Sequence, residues 1–592
     1  MREFQWGPAA AAIISTAVVL AIFGPAIANP LDLAWIQGDA ITNQFGWHQY
    51  QADPAHFYPI VTDRTSYPMP IPVSIFGTIP IIDVVLKLFA SFLPAKVQYL
   101  GPAFVVGVAL QAVLGWAILR EATPDRTGTA YKVSLLLGAL LFATAPILIV
   151  RFYYTHVTLA LQWPILWSML IYLRSFRLGY WRTMRDFSLV TFIAASINPY
   201  TMMMVLLVYG AFIARSIFLR SLEWQQYILL SLPLAAGIAA LLIFGYVDLH
   251  GSGVFGADGF GFYSANFFAP VDPGYKYFSS QFIADPHIAG PGQFEGFGYL
   301  GVGAIFILAA AAIVSLANRQ SSAGRAGKIY WPLFVVVLVS YVWAMSNKMA
   351  FGTHMVTVPI PSAALAFLQT FQSSGRFIWV VDYALMFIGI TVLLRQLKPE
   401  HAALVLSLAA LMQVADLAGP YVLVHRHFAD RFLSKDFVER FTDPAYQGLG
   451  RVHDTLVVLP PWQCRGWGVP EPDYPNSAFM KFENLAMDED LRTNSFYSGK
   501  LPVAQAFYHC DKFPGRLLAS PADKRTAYVL TPRAFGLYGE HIALTHSCDF
   551  AQDLFICRGD GKAAGLSDRA RRRLLQPHSD PGPDKVASEI RQ

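Results

Sequence analysis

Residues 8–28 read PAAAAIISTAVVLAIFGPAIA, and residues 35–47 read WIQGDAITNQFGW. The first stretch is an apolar run of membrane-spanning length, since about 20 such residues cross a bilayer. The second follows it directly and carries a carboxylate, Asp39, to the far side. Ala26-Ile27-Ala28 has the form of a small-x-small cleavage site, so a signal peptide is the rival reading of residues 8–28. Against it, the basic region ahead is a single Arg2 and many more apolar runs follow. Residues 8–28 are therefore read as a retained first span.

The further runs are Val97–Leu119, Lys132–Val150, Val157–Leu173, Phe187–Ile197, Tyr200–Ala214, Gln225–Val247, Tyr299–Leu316, Tyr330–Met345, Phe377–Leu394 and Ala402–Val424. The short pair around Asn198-Pro199 reads as two helices joined by a tight turn, with a Pro-kinked single span as the alternative. Composition agrees with a polytopic membrane protein. Of 592 residues, 55% are hydrophobic and only 14% charged, where soluble domains carry about 25% charge. The net charge of +5 is small and its basic residues are scattered, so there is no nucleic-acid footprint.

The run Pro72–Leu93 is apolar but holds Pro80, Asp83 and Lys87. Proline and charge both disfavour a span. If it does not cross, then Arg2, Arg120, Arg126, Lys132, the arginines at 174–185, Arg215, Arg220, Arg319, Arg325, Lys328, Arg395 and Lys398 all fall on one side. The positive-inside rule makes that side cytoplasmic. The expectation is a mainly α polytopic protein of about eleven spans. Its N-terminus is inside and its large outer loops are 29–96, 248–298 and 347–376, with Pro72–Leu93 along the outer interface.

All four cysteines (Cys464, Cys510, Cys548, Cys557) lie in the last quarter of the chain. Disulfides persist in oxidising compartments, which fits an outside C-terminal region. Four cysteines allow three pairings. After Val424 an amphipathic, charged segment, His425–Phe441, leads to short apolar strands at Thr455–Leu459, Ala527–Thr531 and Leu554–Cys557. The expected domains are a membrane body over 1–424, a soluble extracytoplasmic α/β domain over 425–560 and a flexible tail over 561–592.

Chemistry-bearing residues crowd the outer edge. Asp39 can act as general base toward a hydroxyl, and Asp39 with Asp63 is the alternative as a divalent-metal pair. Arg376, in QSSGRFIW (372–379), enters a span from outside in a Ser-Gly context and suits a phosphate. Arg151 and Lys348 are candidates for the same role. His48, His156, Tyr200, Asn266 and Glu295 are candidate substrate contacts. Asp382 and Asp416 lie within spans, each expected to bond to a neighbouring helix. The chain has no Walker A loop, no GxGxxG after a strand, no CxxC, no HExxH and no GxSxG, which removes the chemistries those motifs carry.

An acid in the first outer loop, an interfacial helix in that loop and an extracytoplasmic C-terminal domain resemble the GT-C membrane glycosyltransferases, a class that includes protein O-mannosyltransferases and the lipid A aminoarabinose transferase. Gly38-Asp39 with Phe45-Gly46-Trp47, Asn198-Pro199-Tyr200, Tyr263-Ser264-Ala265-Asn266 and Ser374-Gly375-Arg376-Phe377 resemble, more narrowly, a bacterial multi-spanning family of GT-C-like architecture. The resemblance covers roughly 8–424. It implies an inner-membrane enzyme that moves a sugar from a polyprenyl-phosphate donor to an extracytoplasmic glycan or lipid acceptor with inversion. Asp39 matches the first-loop acid. The chain departs from some members in lacking an Asp-x-Asp or Asp-Glu pair beside Asp39, so the resemblance does not require a metal; a divalent metal stays open as the one cofactor to consider. Rival readings are a transporter or flippase of a lipid-linked glycan, a glycan polymerase or ligase, and a non-enzymatic scaffold for envelope assembly.

Overall fold

The computed structural model describes residues 6–219, 223–247, 254–255, 259–274, 278–284, 290–317, 323–433, 440–465, 478–499, 501–559, 561 and 563–575. The chain divides into two units. Unit 1 comprises 1–61, 72–251 and 256–438; unit 2 comprises 62–71, 252–255 and 439–592. Parts of the expected loop 248–298, and residues 576–592 of the expected tail, lie outside the described residues.

Unit 1 is helical, and each of the eleven apolar runs forms helix. Eight helical stretches among the described residues are long and apolar enough to span a bilayer, and two more, Val302–Ala317 and Tyr330–Met345, are apolar but shorter. Tyr180–Ile197 is a helix of 18 residues that carries Arg182, Arg185 and Asp186 and is not among the eight.

Proline sets the breaks. Pro146 and Pro164 each stand in the first turn of a new helix, where a missing N–H costs nothing. At Asn198 the backbone is extended (φ −165°), its side chain accepts from Tyr200 N–H at 2.9 Å, and Pro199 opens the next helix. Two helices are thus formed there, not one kinked span.

Between helices the packing depends on small residues, because lipid supplies no hydrophobic drive between apolar surfaces. A Cβ added at Gly303 would sit 2.1 Å from the Ala409 carbonyl oxygen, so the helix Val302–Ala317 approaches Pro399–Leu433 by backbone contact. Asp416 on the latter helix accepts from Tyr299 Oη (2.7 Å), Val302 N–H (3.1 Å) and Ser280. It ties the start of its neighbour, as expected. Asp382 departs from that expectation: among the described residues neither of its carboxylate oxygens has a hydrogen-bond partner, although it is fully buried.

Pro72–Leu93 contains only short turns and the eight-residue helix Pro80–Lys87, too short to span. That helix and the turn after it bury Asp83 and expose Val85, Leu88, Phe89 and Phe92.

Unit 2 is a three-layer α/β/α body. Its strands are β1 (Thr455–Leu459), β2 (Arg492–Thr493), β3 (Thr526–Leu530), β4 (Ser547–Ala551), β5 (Leu554–Arg558) and β6 (Gly565–Leu566), in sheet order β6-β4-β5-β3-β1-β2. β1 runs parallel to both β2 and β3, while β5 is antiparallel to β3 and β4.

Side chains alternate across a strand. Leu456, Val458, Ala527, Val529 and Ile556 therefore pack in one core with the helix Ala478–Asp488. Val457, Leu459, Tyr528, Leu530 and Phe555 pack in the other with Leu517, Phe535, Ile542 and Ala570. Burial on both faces explains why β1 and β3 read as unbroken apolar runs. The short or polar strands β2, β4 and β6 gave no such signal.

Disulfides join Cys464 to Cys510 and Cys548 to Cys557, the second pair lying opposite each other on β4 and β5. Residues 565–575, expected in a loose tail, instead form β6 and the helix Asp568–Leu575, which buries Ala570 and pairs Arg569 with Asp443 at 3.0 Å.

The sequence places residues 62–71 in the first outer loop, yet they are built into unit 2. Tyr67 N–H donates to the Thr493 carbonyl (2.9 Å) and Thr493 N–H to the Arg64 carbonyl (2.7 Å). Ser66 Oγ lies 2.8 Å from His509 Nε2, both buried.

Candidate functional site

The site is entirely within unit 1 and begins with backbone conformation. Asp39 is the first residue of the helix Asp39–Ala52, whose residues 40–50 are all buried. That helix is fixed as a body, so its first residue is fixed too. Ahead of it Gly38 has φ +54° and ψ −138°, a combination close to glycine-only territory. Facing it, Thr155 has φ +61°, an outlier for a β-branched residue. A Cβ on Gly38 would lie 2.8 Å from Thr155 Oγ1. These two strained positions stand directly before Asp39 and His156, whose side chains meet at 3.0 Å between Oδ2 and Nε2. Strain of this kind persists only where the surroundings over-determine it, and it clusters at functional sites.

From His156 a chain of polar contacts runs inward. His156 Nδ1 lies 3.4 Å from Arg151 Nη1. Arg151 donates to Glu295 Oε2 at 2.8 Å and, through Nη2, to the Glu295 carbonyl at 2.7 Å. Arg376 grips the same carboxylate from the other side, Nε to Oε2 at 2.8 Å and Nη2 to Oε1 at 3.1 Å. Exposure falls from 44% at Asp39 through 17% at His156 to 1% at Arg151, then rises to 7% at Glu295 and 15% at Arg376. Burial alone would push the Glu295 carboxyl up, but Arg151 and Arg376 beside it reverse this and hold it well below the usual carboxylate range.

Aromatic rings close the group. The Arg376 guanidinium lies 4.6 Å from the Tyr200 ring centroid and that of Arg151 lies 5.3 Å from Trp379, both within cation–π range. Tyr200 Oη accepts from Ser373 N–H at 2.9 Å, which secures the turn Ser374–Phe377 that carries Arg376. Chemically, the arrangement offers a half-exposed carboxylate with one oxygen held by an imidazole. Beside it stands a pair of guanidinium groups sharing one counterion, which leaves one positive charge.

Of the residues expected from sequence, Asp39, His156, Arg151, Glu295, Arg376 and Tyr200 converge. Glu295 does so as the counterion of two arginines and not as an open substrate contact. Three do not converge. Lys348 is exposed in the strand Lys348–Phe351 of a small hairpin. Asn266 is spent on loop structure: its side chain donates to the Gly352 carbonyl (2.8 Å) and accepts from Gly352 N–H (3.0 Å). His48 is buried in the body of the helix Asp39–Ala52.

Of the expected metal pair, Asp39 belongs to unit 1 and Asp63 to unit 2. Among the described residues Asp39 belongs to no cluster of three ligating side chains. No metal step is therefore derived.

Sequence reading missed Gln37 and His427, whose side chains meet at 3.1 Å, and the packing of Trp35 on Phe428. These contacts brace the approach to Asp39 against the far end of Pro399–Leu433. The only local signal was the polar His425-Arg426-His427 ending an apolar run.

Comparison with known proteins bears on the whole chain. Residues 12–418 match the model of a domain of unknown function, DUF6311, and residues 445–558 match the DUF6311 C-terminal domain. No curated protein matches the sequence. The first match alone covers well over half of the chain and contains every member of the Asp39–Arg376 group, and the chain belongs to the DUF6311 family.

Proposed function

We propose that the protein is a GT-C-type membrane glycosyltransferase that moves a sugar from a polyprenyl-phosphate donor to a hydroxyl acceptor, glycan or lipid, on the extracytoplasmic face. The observation that carries this reading is the convergence of Asp39 and His156 with the Arg151–Glu295–Arg376 group. It sets a base and an anion-binding cation side by side.

In the reaction Asp39 takes the proton of the acceptor hydroxyl. The oxygen bonds to the anomeric carbon as the bond from that carbon to the phosphate oxygen breaks, with inversion. Arg376 balances the charge gathering on the leaving phosphate, and Tyr200 and the aromatic outer loops help exclude water.

The topology that serves this reading has about eleven spans in the bacterial inner membrane, N-terminus inside. Two disulfides in unit 2 support an oxidising, periplasmic location for it. Inclusion of loop residues 62–71 in unit 2 supports the same side for the first outer loop.

A second reading, transport of a lipid-linked glycan, draws on Asp382, since an intramembrane carboxylate without a hydrogen-bond partner among the described residues is a functional signal in transporters. The test is Asp39→Asn in cells whose sole copy is the variant. Glycosyl transfer predicts normal protein level with loss of the glycan modification. Unchanged modification at wild-type protein level removes Asp39 as base, and a modified product confined to the cytoplasmic face favours transport.

A further inference from the structure

We infer that Glu295 is the positioning residue of this site: it mounts Arg376 so that the free edge of the guanidinium faces a ligand phosphate, and through Arg151 and His156 it helps hold Asp39. The inference rests on the phosphate-donor reading above.

The geometry of the Arg376 pair is side-on. Nε and Nη2 are committed to the two Glu295 oxygens, and among the described residues Nη1 makes no hydrogen bond. A guanidinium presents its donors in a fixed planar fork. Holding one edge therefore aims the other, and Tyr200 under the plane at 4.6 Å limits tilting. The same carboxylate takes Nη1 of Arg151, and that nitrogen faces Nδ1 of His156. An imidazole nitrogen facing a guanidinium N–H acts as acceptor. The imidazole proton then sits on Nε2, where it is donated to Asp39 Oδ2 at 3.0 Å. One carboxylate thus orients the cation directly and the base through two intermediates.

The opposite role, a plug that occupies the anion site until phosphate displaces it, fits the packing poorly. A plug must leave, yet Glu295 is held by its side chain and by its carbonyl, which accepts from Arg151 at 2.7 Å. Its segment is wedged on both sides. A Cβ on the next residue, Gly296, would lie 2.3 Å from Ala265 Cα, and one on Gly375, beside Arg376, would lie 2.6 Å from Gly296 Cα. Backbones in such contact do not swing apart to admit a ligand. A mount and a plug predict opposite signs when the charge is removed.

The experiment measures binding of undecaprenyl phosphate to the full-length protein in nanodiscs by native mass spectrometry. Its arms are wild type, Glu295→Gln, Arg376→Ala and the double variant. The mount predicts that Glu295→Gln weakens binding about tenfold or more, the scale of a lost hydrogen bond to a charged group. It also predicts that the double variant binds no worse than Arg376→Ala alone, because Glu295 acts through Arg376. Binding by Glu295→Gln that equals or exceeds wild type overturns the mount in favour of the plug, and additive losses overturn it in favour of general structural damage. Should Glu295→Gln fail to fold, Glu295→Asp keeps the buried charge and shortens its reach to Arg376; the mount predicts weaker binding there as well, and retained affinity refutes it. Absence of binding by wild type removes the phosphate-donor reading itself, and the mount falls with it.

Discussion

Substituting Gly38 by alanine tests whether the strained backbone ahead of Asp39 places the base. The residue sits at φ +54°, ψ −138°, and an L side chain there costs about 1–3 kcal/mol of backbone strain. A second cost adds to it, since the new methyl would stand 2.8 Å from Thr155 Oγ1. Thr155 cannot turn aside freely, because its Oγ1 donates to the Tyr154 carbonyl at 2.6 Å and its own φ is +61°.

The cheapest relief is a shift of residues 37–39, which lengthens the 3.0 Å contact of Asp39 with His156. A misplacement of about 1 Å in a reacting group costs on the order of 100-fold in rate. Gly38→Ala is therefore expected to lower glycan transfer about 100-fold while the protein still inserts and melts within several degrees of wild type. Adding Thr155→Gly removes the clash and the threonine strain and is expected to restore part of the rate. Wild-type transfer by Gly38→Ala, or no recovery in the double variant, would refute the reasoning that these two residues set the base.

Two further outcomes follow from groups away from the site. Burial pushes the Asp83 carboxyl up to about 7, against hydrogen bonds from Thr78 and Tyr99 that favour its charged form. Between the unfolded value near 4 and 7 the folded chain binds the extra proton, so stability falls as pH rises through that window, by up to about 4 kcal/mol. Asp83→Asn escapes this cost, and its melting temperature should exceed that of wild type at pH 8 by more than at pH 5; parallel behaviour at both pH values would count against it. Among the disulfides, Cys464–Cys510 closes a separation of 46 residues and Cys548–Cys557 one of 9. On loop entropy their removal costs about 4 and about 3 kcal/mol respectively, measurable by denaturant unfolding of the paired Cys→Ala variants, and the reverse order would show that strand pairing outweighs loop length.

Much of the fold was legible because membrane helices announce themselves: apolar runs of fixed length need no knowledge of partners. Charge sorting argued against a span at Pro72–Leu93, and the structure has only short turns and an eight-residue helix there. What stayed hidden was pairing at long range. Glu295 bonds to Arg151 across 144 residues and to Arg376 across 81, and nothing in its local sequence GQFEGF distinguishes a counterion from a substrate contact. Asp39 and Arg376 could be singled out because the sequence puts each beside an apolar run, on the side the charge pattern leads one to expect as outer. Lys348 shared that description and proved to be an exposed hairpin residue. The capture of residues 62–71 by unit 2 was equally invisible, since it depends on backbone bonds to Thr493 and on the meeting of Ser66 with His509, 443 residues on. Short strands such as β2 and β6 carry two residues each, too few for any periodicity to register.

The central claim is that Asp39 and Arg376 flank the reacting centre of a lipid-linked sugar donor, Arg376 at its phosphate and Asp39 on the acceptor side of its anomeric carbon. The most direct measurement is an experimental structure of the protein in native-lipid nanodiscs with bound lipid resolved. The account predicts a polyprenyl chain whose phosphate contacts Arg376 Nη1, with Glu295 still seated between Arg151 and Arg376 and with the Asp39 carboxylate facing the anomeric carbon. A lipid phosphate bound elsewhere, with the Asp39–His156 pair facing no ligand, would contradict it.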